Sequence, residues 1–193
     1  MTAERLVALA RAAAREPDVT HAYERPCTLE GRPPGTLLRG ASRLLAGESS
    51  VGVVDGRDGV LLTAGDEAAL HRATDLLRSA YGPALRTQPI RARRVPSGAT
   101  PDSPALEPVM GVEVRCRWDH VDRVRRDLQR RGARIVLARA TAGVGEVHAT
   151  CSAETLLGYA RHLQELTDGA ARAALFFSHL EPAQTEPPGP PAA

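Results

Sequence analysis

The nine residues from Pro96 to Pro104 set the organisation of this chain. They include three prolines, one glycine and two serines. Proline fixes φ and offers no backbone donor, so neither a helix nor a central strand runs through such a segment. A chain of 193 residues is thereby cut near its middle. Each half is long enough for one small core and too short for two. The reading is an α+β domain over 1–95, a Pro/Gly/Ser linker over 96–105, a second α+β domain over 106–180, and a tail over 181–193. Five prolines crowd that tail, so it is expected to be disordered.

The second half resolves into regular elements. Val112 and Val114 alternate with Glu113 and Arg115, the period of a half-buried strand. Val121, Val124 and Leu128 make a narrow apolar seam at helical spacing, with Asp119 as the expected N-cap and Gly132 as the stop. Residues 133–140 and 144–151 form two strands joined at Thr141-Ala142-Gly143. Ser152 is the expected cap of a last helix that faces the sheet with Leu156, Tyr159, Ala160, Leu163 and Leu166. Residues 173–178 close the series. Gly158 falls inside that last helix, where glycine costs about 1 kcal/mol against alanine, and a close backbone approach is the expected reason. The order is βαββαβ, that of a ferredoxin-like fold.

The first half is less regular. Leu6, Leu9, Ala10 and Ala13 have helical spacing over 3–15, with Thr2 as N-cap. Residues 26–50 contain the turn signal Pro33-Pro34-Gly35 and a short helical run from Leu37 to Leu45. Two short strands, 50–54 and 60–63, flank Asp55-Gly56-Arg57-Asp58-Gly59 as a hairpin. A helix over 66–81 buries Leu70, Ala73 and Leu77 and stops at Gly82-Pro83. Residues 86–95 read as a strand.

Several words in this order carry a resemblance. They are Glu107-Pro108-Val109-Met110 with Val112-Glu113-Val114, then Arg131-Gly132-Ala133, Leu157-Gly158-Tyr159-Ala160, and Leu163 to Thr167. From Leu106 to Pro182 the chain resembles the C-terminal domain, domain V, of elongation factor G and related ribosomal translocases. The first half is more weakly similar to domain III of that family. The words there are Ala3-Glu4-Arg5-Leu6 through Leu9-Ala10 and Glu16-Pro17. Glu67, Leu70, Asp75, Leu77-Arg78, Tyr81-Gly82 and Pro89-Ile90-Arg91-Ala92 follow. Ala69 stands where that family has a histidine, and no strand is placed before the first helix. The resemblance implies two ferredoxin-like α/β-sandwich domains, the N-terminal one incomplete or irregular. The family's GTPase domain and domain IV have no counterpart here.

The chemistry agrees with a binding module rather than an enzyme. There is no GxxxxGK[ST] phosphate loop, and all 25 basic residues are Arg, so a P-loop lysine is excluded and GTP hydrolysis is not expected. His21, His71, His120, His148, His162 and His179 are scattered and form no mutually placed catalytic set. Asp55 and Asp58 flank a turn without the calcium-loop pattern. Cys27, Cys116 and Cys151 show no CxxC spacing, so buried free thiols are expected and no metal. No cofactor and no small-molecule substrate are implied. No apolar run approaches the roughly 20 residues of a membrane span, and with no signal peptide recognised a cytoplasmic location is the expectation.

The candidate site is electrostatic. Net charge is only +2, yet nine Arg lie between Arg115 and Arg139 against Asp119, Asp122 and Asp127. Arg123, Arg126 and Arg130 share one helical face, with Arg125 beside them. Such a face is either merely solvated or a contact to RNA phosphate. Trp118 next to it is either core or a base-stacking ring. In the turn after the last helix, Thr167 to Arg172, only Arg172 is basic where the family's turn is Gly/Arg-rich. The nucleic-acid-binding candidates are therefore Arg123, Arg125, Arg126, Arg130 and Arg172. The expected partner is the ribosome, through ribosomal RNA and ribosomal proteins near the translation-factor site. The alternatives are a protein-interaction module using the ferredoxin-like sheet, and a degenerate translation-factor paralogue without present role.

Overall fold

The computed structural model describes residues 20–96 and 105–183. The helix expected over 3–15 lies outside the described residues. The first domain runs β1 (Tyr23–Leu29), α1 (Pro34–Leu44), β2 (Val51–Asp55), β3 (Val60–Ala64), α2 (Glu67–Tyr81) and β4 (Leu85–Thr87), followed by the two-residue β5 (Arg91–Ala92). The sheet order is β2-β3-β1-β4, antiparallel throughout, with β5 also on β1. That is a ferredoxin-like sandwich, as expected.

Its core is aliphatic. Val60, Leu62 and Ala64 of β3 meet Leu70, Ala73 and Leu77 of α2 and Leu37, Ala41 and Leu45 of the α1 segment, all buried. Asp66 caps α2 by accepting from the Ala69 N–H at 2.8 Å, and Gly82 ends it with φ +60°. Gly59 closes the β2–β3 hairpin, where a Cβ would strike the Cys27 carbonyl of the neighbouring strand.

Two expectations for this half need correction. The domain does not lack its first strand: β1 is that strand, and α1 rather than the segment at 3–15 is the helix joining it to β2. The helical run read from Leu37 to Leu45 is α1, whereas no strand was read where β1 stands. Pro26 hid β1, because proline within a run argues against a central strand. It is tolerated because the partner on that side is interrupted: β4 pairs from Cys27 onward and β5 only at Tyr23 and Glu24. The irregularity sits instead at the far end. The single strand expected over 86–95 is three pieces, β4, β5 and β6 (Val95–Pro96), with Pro89 between the first two.

The second domain runs β7 (Ala105–Arg117), α3 (Val121–Arg130), β8 (Arg134–Thr141), β9 (Val144–Ser152), α4 (Tyr159–Leu166) and β10 (Arg172–Pro182). Strand order is β10-β7-β9-β8, again ferredoxin-like. Met110, Val112, Val114 and Cys116 point from β7 to the helices, as do Val147, Ala149 and Cys151 from β9. Val124 and Leu128 of α3 and Tyr159 and Leu163 of α4 close over them with no exposure.

Local details differ from the sequence-based expectation. A 3₁₀ turn over Trp118–His120 precedes α3, and no side chain caps that helix. Asp119 instead accepts from Arg117 at 2.6 Å. Ser152 receives the Glu154 N–H at 3.3 Å and so serves a 3₁₀ turn over Glu154–Leu156, not α4. Gly158 is not mid-helix: it sits between that turn and α4 with φ +70°, and a Cβ there would meet nothing within 4 Å. Its positive φ, not close packing, is what calls for glycine. Its N–H is donated at 2.8 Å to Glu67 Oε1 of the first domain. The C-terminal strand is longer than expected, with Glu181 and Pro182 opposite Glu107 and Leu106. The linker ends are joined as well: Val95 pairs with Leu106 and Pro96 with Ala105.

Leu128 anchors the basic helix to its sheet with no solvent exposure. Leu128→Ala should cost about 2–5 kcal/mol, read as a lower denaturant midpoint at unchanged m-value.

Candidate nucleic-acid interface

Helix α3 buries Val121, Val124, Asp127 and Leu128. With 3.6 residues per turn, this forces the arginines between them to the solvent side. Arg123, Arg126 and Arg130 line one shallow depression on that side, so the spacing inferred from sequence is met in space. Their surroundings differ. Arg123 Nη1 donates to the Leu166 carbonyl at 3.0 Å, at the last residue of α4. There a cation meets the negative end of the helix. Arg130 keeps 74% of its side chain exposed while its Nη2 lies 3.2 Å from Asp127 Oδ1. Arg125 pairs with Asp122 at 3.1 Å. Arg126 is exposed and makes no ion pair or hydrogen bond among the described residues. The exposed Arg125–Asp122 pair contributes little and leaves its guanidinium ready to exchange a carboxylate for a phosphate.

Arg172 does not join this group. It begins β10 opposite Arg115. Arg115 follows the helix-facing Val114 in the β7 alternation, so both arginines lie on the sheet face away from the helices. The turn before Arg172 contains Asp168 and Gly169, both at positive φ. Trp118 is 60% exposed, so it is not core.

Beneath the arginines, Asp127 is the organising group. Its side chain is 6% exposed and accepts from Arg131 Nε at 3.1 Å and from Arg130. His162 Nε2 of α4 lies 3.2 Å from Asp127 Oδ1. Arg131 also donates to the Thr155 carbonyl at 3.0 Å and lies 5.2 Å over the Tyr159 ring. Sequence reading assigned Arg131 only to a family word and Asp127 only to charge balance. The i, i+4 spacing of these two was the available signal. Burial raises the Tyr159 hydroxyl well above the usual phenol range, Asp127 adding to it and Arg131 opposing.

A cleft of about 730 Å³ opens at the end of the sheet where β7 and β8 begin and β9 and β10 finish, lined by Arg94, Arg131, Arg134, Glu107, Glu154 and Glu181 among others. Burial pushes the Glu107 carboxyl up, Glu154 adds repulsion, and Arg94 partly offsets both. Among the described residues no cluster of His, Cys, Asp and Glu could hold a metal ion, and no helix is long and apolar enough to cross a membrane.

Comparison with known proteins places this arrangement. Residues 105–189 match the family model described as "Elongation factor G C-terminus". The C-terminal half carries an elongation factor G C-terminal domain. Over 77 residues the chain is 36% identical to the elongation factor G of Granulibacter bethesdensis (strain ATCC BAA-1260 / CGDNIH1). That match covers 40% of this chain and 11% of the bacterial factor, so the chain spans only a small part of that relative. A crystal structure of a protein from Thermus thermophilus superposes with a TM-score of 0.55 at 18% identity, over 87% of this chain and 41% of its own. At that identity the likeness is one of fold, and it extends across both domains.

Two outcomes follow from these contacts. Asp127→Ala leaves Arg131 and His162 without their shared acceptor, and should cost about 1–3 kcal/mol, measured by chemical denaturation. For Glu107, a raised folded-state pKa means that its favourable contribution is present below the unfolded value and lost as pH rises through the folded one. Glu107→Gln should therefore melt at higher temperature than the parent at pH 7. The difference should vanish below about pH 4, the ordinary carboxylate range.

Proposed function

We propose that this protein is a non-enzymatic, elongation factor G-like module. It binds the ribosome near the translation-factor site and modulates translation there. The observation that carries this reading is the arginine-lined depression on α3, placed on a domain that matches the elongation factor G C-terminus. Guanidinium groups form planar, bidentate hydrogen bonds to phosphate, and Arg126 has no competing carboxylate among the described residues. The first domain, in this reading, is a domain III-like body that holds the second in place through the Glu67–Gly158 contact. The linker carries no catalytic part, and the factor's hydrolytic cycle is not this chain's work.

The reading is tested by sedimenting the purified protein with ribosomes across a salt series. The protein should pellet with ribosomes at low salt and be released as salt rises, since phosphate contacts carry the affinity. The charge-reversed variant Arg126→Glu, which touches no buried carboxylate, should stay in the supernatant while its melting temperature moves by no more than about 2 °C. Co-sedimentation that survives the charge reversal would move the contact elsewhere. No pelleting of the parent at any salt would remove the ribosome from the account.

A further inference from the structure

The open face of the second sheet carries an arrangement that folding alone does not explain. Arg172 of β10 and Arg115 of β7 are direct cross-strand partners in the register. Like charges directly opposite each other destabilise a sheet. Two carboxylates share this face, Glu113 two residues along β7 and Glu146 across from Arg115 on β9, and they offset the repulsion only in part. Arg172 is exposed and makes no ion pair or hydrogen bond among the described residues. Arg115, 79% exposed, reaches Glu146 only at 3.7 Å. Glu146 is already held by Arg139, whose Nη2 and Nε donate at 2.6 and 2.8 Å. Arg117, the next open-face residue on β7, is engaged with Asp119 but remains 64% exposed.

An aromatic ring lies on the same face. Phe176, four residues from Arg172 along β10, pairs with Gly111. A Cβ on Gly111 would collide with the Phe176 ring, so the ring rests against bare backbone and still exposes 48% of its surface. Four residues of strand separate the arginine pair from the ring by about 13 Å. Across from Phe176, through Gly111, lie Thr150 and then Arg134, which continue the polar face.

We infer that this open sheet face is a second RNA contact, separate from α3, that takes single-stranded RNA. A backbone phosphate sits between Arg115 and Arg172, and a base stacks on Phe176. A phosphate at the arginine pair turns the cross-strand repulsion into a shared charge-assisted contact. Bases stack on exposed aromatics without sequence preference, and a four-stranded sheet is a known geometry for it. The inference rests on the RNA-directed reading above but not on the α3 contact.

The test uses the full chain and a fluorescein-labelled oligouridine of about 12 nucleotides, with binding followed by anisotropy against salt. Arg172→Glu places opposite charges across the strands. It should raise the melting temperature by about 2 °C while lowering the salt slope by about 0.7 for each phosphate that is no longer neutralised. Phe176→Leu keeps apolar cover over Gly111 and should abolish ultraviolet cross-linking of the oligouridine to β10. If Arg172→Glu stabilises the protein and leaves oligouridine affinity unchanged, the pair is a tolerated surface repulsion and the inference fails. It fails equally if polyglutamate binds this face and oligouridine does not. Oligouridine binding that persists in the α3 variant while ribosome pelleting disappears keeps the two surfaces separate, as inferred. Oligouridine binding that disappears with the α3 arginines and survives Arg172→Glu would overturn the second contact and leave the first standing.

Discussion

Asp127 determines which way the second domain presents its charge. Its buried carboxylate collects Arg131, Arg130 and His162, and Arg131 continues to the Thr155 carbonyl and the Tyr159 ring. A carboxylate taken out of water requires such partners. Satisfying it locks α3 to α4 at a fixed rotation. Once that rotation is set, Arg126 has only solvent to face. The external electrostatics of the domain are thus a by-product of one internal obligation. Arg123, bonded to the end of α4, strengthens the same helix pair from outside.

The sheet beneath obeys a different constraint. Strand β7 is paired on both sides over most of its length, and its helix-facing residues are all apolar while four of its open-face residues, Glu107, Glu113, Arg115 and Arg117, are charged. This division explains why arginines that are neighbours in composition belong to two surfaces. Those on α3 answer to helical period, and those on β7, β8 and β10 answer to the strand period of two. Arg172 shows the point. It follows the α4 turn in sequence, yet its direction is set by pairing with Arg115.

Much of this architecture was legible in the residues. The alternation at Val112 and Val114, the seam at Val124 and Leu128, and the helix stop at Gly82 each have one physical solution, and each is realised. What was not legible depended on tertiary context. Pro26 argued against a strand, and only the break between β4 and β5 makes it acceptable. Gly158 looked like a helix interior because the 3₁₀ turn and α4 abut, and nothing local reveals that its N–H is claimed by Glu67 from the other domain. Among the candidate arginines, the helical period grouped Arg123, Arg126 and Arg130 correctly. No local pattern reported that Arg172 would lie on the opposite side of the domain.

The short ladder between β6 and the start of β7 has a further consequence. Because Val95 and Pro96 are stitched to Leu106 and Ala105, the chain leaves one domain and re-enters the other at a single point. Closing a longer excursion between two fixed ends costs only about 0.6 kcal/mol for each doubling of its length. The junction therefore works as a socket: whatever evolution or an engineer threads through it, from a few residues to an entire folded body, the two sandwiches on either side need not learn of the change.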